Sequence, residues 1–217
     1  MKNLIVRFLI KVKYKSINRA IALNSNSQLN LEIGAGNVRR VGWITSDLRI
    51  RAQVILDARA NWAKRETLNF IYTEMMIASL SPPELDIFLE NCFSALKSEG
   101  VLRICTVNVK KYAEVYLSED SQLKNKYFLE MKSRHPGNKY LFDLPDLLRY
   151  PFVTHSPGVE SFSYDFDSLS KKLQIIGFSK VQNKLPGSSD YEALCNLEKR
   201  RSEVLDNLQL VIEATKL

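Results

Sequence analysis

The stretch from Leu29 to Asn37 reads Leu-Asn-Leu-Glu-Ile-Gly-Ala-Gly-Asn, a short apolar run that ends in two glycines one residue apart. Such a run is predicted to be a buried strand that enters a Gly-x-Gly turn. Gly34 and Gly36 lack a Cβ, so the backbone there is free to adopt left-handed conformations and to approach a ligand closely. Such a turn directly after a strand is found both as a plain tight turn and as the first loop of a doubly wound α/β sheet, whose ligands sit at the carboxyl ends of the strands.

Further short apolar runs follow in the order this architecture needs. Trp43–Ser46, Gln53–Leu56, Leu68–Tyr72 and Val101–Val107 read as strands separated by turn or helical segments, a pattern that favours a parallel sheet with helical crossovers. Ser81-Pro82-Pro83-Glu84 sets a hydroxyl at an N-cap, prolines at the first helical positions and a glutamate at N3, so a helix is predicted to open there and run through Lys97, with Gly100 ending it. Asp165 is placed to cap a second helix that runs to Ile176 and is closed by Gly177. Phe178–Gln182 and Leu208–Ala214 read as a final pair of strands, with Tyr191–Arg201 helical between them. Residues 108–163, rich in mixed aromatic and charged side chains and broken by prolines in their latter half, are predicted to be a long insertion after the fifth strand.

Two carboxylates reinforce the first turn. Asp47 ends the second strand, where it can accept hydrogen bonds from ribose hydroxyls, and Asp57-Ala58 ends the third, where an adenine edge would lie. Only about eleven residues separate Gly36 from Asp47, too few for the full crossover helix of a dinucleotide-binding unit, which disfavours NAD.

The 217 residues, 45% hydrophobic and 25% charged, are expected to form one globular domain spanning 1–217. No apolar run is long enough to cross a membrane. The start of the chain lacks the features of a secretory signal, and the expected location is cytoplasmic. Three widely spaced cysteines and two histidines give neither a disulfide framework nor a metal site. Of the net charge of +7, much resides at the N-terminus, where Lys2, Arg7, Lys11, Lys13, Lys15 and Arg19 precede the first acidic residue, Glu32. Residues 1–25 are expected to hold a basic amphipathic helix, with Leu4, Ile5, Phe8, Leu9, Val12, Ile17 and Ile21 on one face. Its basic column opens the alternative of peripheral contact with an anionic membrane through residues 1–23.

In order and spacing, these segments resemble the class I S-adenosylmethionine-dependent methyltransferases. The likeness runs through Leu29–Gly36, Gly42–Leu48, Val54–Asp57, Phe70–Glu74 and Phe88–Ile104, and on to Tyr164-Asp165, Gly187–Asp190 and Ile212–Lys216. It is strongest to the branch whose members often accompany surface-polysaccharide genes. The resemblance implies a Rossmann-like doubly wound sheet of about seven strands, mostly parallel with an antiparallel C-terminal strand, and S-adenosyl-L-methionine as cofactor. It implies that Glu32, Gly34, Ala35 and Gly36 surround the methionine part of the cofactor, that Asp47 and Leu48 hold the ribose, that Asp57 and Ala58 meet the adenine, and that Glu74 lines the pocket after the fourth strand.

The branch carries a histidine soon after the position of Glu74, a Glu-His pair where this chain has Ala78 and Ser79, and a histidine where it has Glu160. The expected reaction is methyl transfer to a small-molecule or glycan acceptor, with residues 108–163 on the substrate side. The alternative is a non-catalytic relative that binds the cofactor or a partner. His135, Tyr140, Asp143 and His155 are the candidate bases, and none is singled out. A nucleic-acid methyltransferase is disfavoured, because Ser81-Pro82-Pro83 is better explained as a helix start than as a base-stacking motif.

Overall fold

The computed structural model describes residues 20, 28–49, 52–62, 64–134, 143–152, 161–199 and 201–217. Seven strands form one sheet: β1 (Asn30–Ile33), β2 (Ile44–Asp47), β3 (Val54–Ile55), β4 (Leu68–Glu74), β5 (Leu96–Val107), β6 (Lys180–Lys184) and β7 (Gln209–Thr215). Their order across the sheet is β3-β2-β1-β4-β5-β7-β6. The pairings among β1 to β5 are parallel. Strand β7 runs antiparallel to both β5 and β6. The order therefore reverses between β1 and β4, and that switch point is where a doubly wound sheet opens a crevice.

Alternation along the strands sorts side chains onto two faces. Leu31, Ile33, Ile71, Leu102, Ile104, Leu210 and Ile212 all join the main core. Their cover is α1 (Pro82–Ala95) and α5 (Phe166–Ile176), which contribute Phe88, Leu89, Leu169 and Leu173, all completely buried. Each such side chain stabilises by about 1.5–3 kcal/mol on leaving water. The Ser81 N–H and hydroxyl donate to the Glu84 carboxylate at 2.9 and 2.8 Å, and Asp165 accepts from the Ser168 N–H at 2.8 Å, so both helices start where the cap residues dictate. Gly177, at φ 118, ends α5. Helix α1 stops at Ala95 rather than running through Lys97, because Leu96 already pairs with Leu68 of β4.

The opposite face is covered differently. Phe70, Tyr72, Val101, Cys105 and Val211 pack there against Trp43, Leu194 and Leu197, which belong to irregular segments. No helix forms over 34–43, the short first crossover. The helix expected over Tyr191–Arg201 is also absent from the described residues of that stretch, which hold only a single 3-10 turn at Glu192–Leu194. Helical propensity there yields to tertiary demand. Leu194 and Leu197 must reach the sheet, and Glu198 is drawn to the fully buried Arg103, whose guanidinium also meets Glu213. The helix forms later, as α6 (Glu203–Leu208), capped by the Ser202 hydroxyl accepting from the Leu205 N–H.

The expected insertion is helical where it is described: α2 (Val109–Leu117), α3 (Ser121–Arg134) and α4 (Asp146–Arg149). With α6 these build a second core around Tyr112, Tyr127, Met131, Leu147 and Leu205. The expected N-terminal helix lies outside the described residues except for Ala20, which is helical and packs on the main core. Among the described residues no helix is long and apolar enough to cross a membrane.

Candidate functional site

At the carboxyl ends of β1 to β4, straddling the switch point, lies a cavity of about 420 Å³, a size typical of small-molecule sites. Gly34, Asp47, Leu48, Asp57, Ala58 and Glu74 lie on its wall, so six of the nine residues singled out from the sequence converge on one space. Glu32, Ala35 and Gly36 do not line it. The wall is completed by groups that strand-end reasoning did not find, among them Arg49, Arg59, Met75 and Met76.

The first turn is shaped by its glycines. Gly34 has φ +79 and Gly36 φ +65. A Cβ on Gly34 would lie 2.7 Å from both Cβ and Cγ of Met76, so glycine lets the β4-α1 connection close against the turn. At Gly36 the nearest such atom is Arg49 Nη1 at 4.0 Å. The Gly36 N–H donates to Asp47 Oδ2 at 2.8 Å, and the Arg49 N–H to Asp47 Oδ1 at 2.9 Å. A carboxylate offers about four lone-pair positions. Each Asp47 oxygen therefore keeps one, side by side, an arrangement that suits two neighbouring hydroxyl donors.

Asp57 is more heavily used. Arg59 donates its backbone N–H and Nε to Oδ1 and its Nη2 to Oδ2, at 2.9 to 3.0 Å. Burial alone would raise the Asp57 pKa, but these hydrogen bonds and the adjacent charge hold it below the usual aspartate value. By the same counting one position remains, on Oδ2, enough for a single amine donor. Leu56, Ala58 and Leu80 supply apolar surface beside it.

Glu32 has a different position. Strand alternation turns it away from Leu31 and Ile33, and it is 1% exposed. Its Oε2 accepts from Arg40 Nε at 3.0 Å and its Oε1 from Lys199 Nζ at 2.7 Å. The Lys199 N–H also reaches the Glu74 carboxylate at 3.2 Å. Glu32 thus anchors the 187–199 segment beneath the site instead of facing the cavity.

Ser79 lines the cavity, and the Ala78 carbonyl accepts from the Phe162 N–H at 2.8 Å, tying the end of the insertion to the rim. Of the candidate bases, Asp143 does not line this cavity. His135, Tyr140 and His155 lie outside the described residues, as does Glu160. Among the described residues no cluster could hold a metal ion.

A scan against protein-family models matches no family, and a search of curated proteins finds no match. The solved structures do. A "putative S-adenosylmethionine dependent methyltransferase" from Listeria monocytogenes superposes with a TM-score of 0.50 at 13% identity, covering 95% of this chain and 99% of that one. The chain has the class I methyltransferase fold. The expected sheet of about seven strands, mostly parallel with an antiparallel C-terminal strand, is present, β7 being that strand. A SAM-dependent methyltransferase from Archaeoglobus fulgidus gives a TM-score of 0.49 at 14% identity, covering 95% of this chain and 94% of that one.

Proposed function

We propose that this chain binds S-adenosyl-L-methionine in the cavity at the ends of β1 to β4 and catalyses methyl transfer to a small-molecule or glycan acceptor. The observation that carries the proposal is the Asp47 carboxylate, anchored by two backbone N–H groups and left with one acceptor position on each oxygen. That geometry fits a vicinal ribose diol. Asp57 keeps a single position for an exocyclic adenine amine, with Leu56, Ala58 and Leu80 against the ring. Glu74 would face the cationic methionine end of the cofactor.

The bound cofactor supplies an electrophilic methyl on a sulfonium: the acceptor's lone pair forms the new bond to carbon while the electron pair of the broken S–C bond stays on sulfur. Any proton on the acceptor must then leave to a base or to water. The chain's own contribution is to hold both reactants in line and exclude water, an effect worth up to about 7–11 kcal/mol of barrier. The domain would work as one unit over residues 1–217, with 108–163 on the acceptor side. The test is titration calorimetry with S-adenosyl-L-methionine, followed by incubation with methyl-labelled cofactor and mass spectrometry of candidate acceptors. Binding with turnover supports an enzyme, and binding without turnover on any acceptor supports the non-catalytic alternative.

A further inference from the structure

A second cavity, of about 320 Å³, lies between the strand ends and the helices of the insertion. Met75 lines both this space and the cavity at the ends of β1 to β4, so the two cavities meet at that residue. Met75 is a non-glycine residue at φ 56, directly after β4, with its N–H donating to the Cys105 carbonyl at 2.8 Å. A left-handed methionine is a strained conformation of the kind that gathers at ligand sites.

The wall of this second cavity is chemically selective. Met75, Met131, Leu205 and Leu208 give it thioether and aliphatic surface, and Tyr112 and Tyr150 give it aromatic surface. The two tyrosine rings are stacked with centroids 5.9 Å apart and 15° between planes. Among the described residues the Tyr112 hydroxyl has only the Met131 sulfur as partner, at 3.9 Å. Arg134 is the exposed member among the described residues of the wall. Its Nε and Nη2 engage Glu130 Oε1, each at 2.9 Å, and among the described residues Nη1 has no hydrogen-bond partner. Thioethers and tyrosine rings make favourable contacts with an aromatic ring, and a guanidinium suits a planar anion. Among the described residues the polar groups of this wall are the two tyrosine hydroxyls, Arg134 and the Gln209 amide, whose oxygen already accepts from the Cys105 thiol at 3.3 Å, so a ligand that presents ring faces and one anionic group matches it better than one with a hydroxyl on nearly every carbon.

We propose that this cavity is the acceptor site and that the acceptor is a compact aromatic carboxylate, its ring among Met75, Met131, Tyr112 and Tyr150 and its anionic group at Arg134. The assignment of the cavity to an acceptor rests on the methyltransferase reading above; the aromatic, anionic chemistry rests on the wall itself.

The test uses the full-length protein and calorimetry with 4-hydroxybenzoate, salicylate and indole-3-acetate, alongside neutral indole and glucose 6-phosphate. At least one carboxylate should bind at least tenfold more tightly than glucose 6-phosphate. Arg134→Gln, at a solvent-facing position, should weaken that binding at least fivefold and leave indole unchanged. Leu208→Phe, which fills the cavity, should abolish carboxylate binding without altering the affinity for S-adenosyl-L-methionine. Equal or tighter binding of glucose 6-phosphate, or carboxylate binding indifferent to Arg134→Gln, overturns the proposal. Cofactor binding with no carboxylate binding removes the acceptor class alone. Carboxylate binding without cofactor binding removes the methyltransferase reading and with it the acceptor role.

Discussion

Lys199 Nζ lies 2.7 Å from Glu32 Oε1, joining residues 167 positions apart across the underside of the candidate site. Glu32 is almost wholly buried, and Arg40 on its other oxygen completes its neutralisation. The same lysine's N–H holds Glu74 at the end of β4, so one residue of the 187–199 segment ties together the ends of the two strands that flank the switch point.

Lys199→Met should therefore act on stability more than a surface lysine would. It leaves a buried carboxylate oxygen without its charged partner, which costs about 1–3 kcal/mol. For a chain of this size that is a fall in Tm of several degrees. Adding Glu32→Gln should recover part of the loss, because the uncompensated charge is then gone. Thermal denaturation of the two single variants and the double variant checks this, and strictly additive losses would show that the pair is not coupled.

Gly34→Ala tests the first turn. A Cβ at φ +79 costs about 1–2 kcal/mol in itself, and the 2.7 Å approach to Met76 adds to it. The variant should lose at least about 2 kcal/mol in urea denaturation. A double variant with Met76→Ala should regain the contact part but not the conformational part. Full stability of Gly34→Ala would mean that the turn has room to shift.

The Asp57–Arg59 pair gives a pH signature. The folded-state pKa of Asp57 is held below its usual value, so its contribution to stability is complete above about pH 4 and is lost as pH falls through the lower folded value. Arg59→Gln removes the guanidinium's hydrogen bonds and charge, which lower it, and leaves only the backbone N–H bond to Oδ1. The Tm difference between wild type and Arg59→Gln should be present near neutral pH and shrink steadily below about pH 4. A difference constant down to about pH 2 would assign the role of Arg59 to packing.

The parts of this molecule that were legible in the sequence are those fixed by neighbours in the chain. Gly34, Asp47 and Asp57 stand directly at strand ends, and Ser81 with Glu84, or Asp165 with Gly177, are local helix signals that the fold obeys. What escaped was set by residues far apart. Nothing within reach of Glu32 in sequence announces Lys199, and nothing near Arg103 announces Glu198, 95 residues on. The helix expected over Tyr191–Arg201 failed for the same reason, since Leu194, Leu197 and Glu198 have partners on the sheet that local propensity cannot see. Arg59, only two residues from Asp57, was within reach as an exposed pair, but its share of the carboxylate's hydrogen-bonding capacity needed coordinates.

The central claim is that Asp47 presents its two free acceptor positions to the ribose of S-adenosyl-L-methionine. Titration calorimetry of wild type and Asp47→Ala with that cofactor tests it most directly, with circular dichroism to confirm that both are folded. The wild type should bind, and the variant should bind more weakly by about 1.5–3 kcal/mol, the scale of hydrogen bonds to a charged group. An unchanged dissociation constant for a folded Asp47→Ala, or no binding by the wild type, would contradict it.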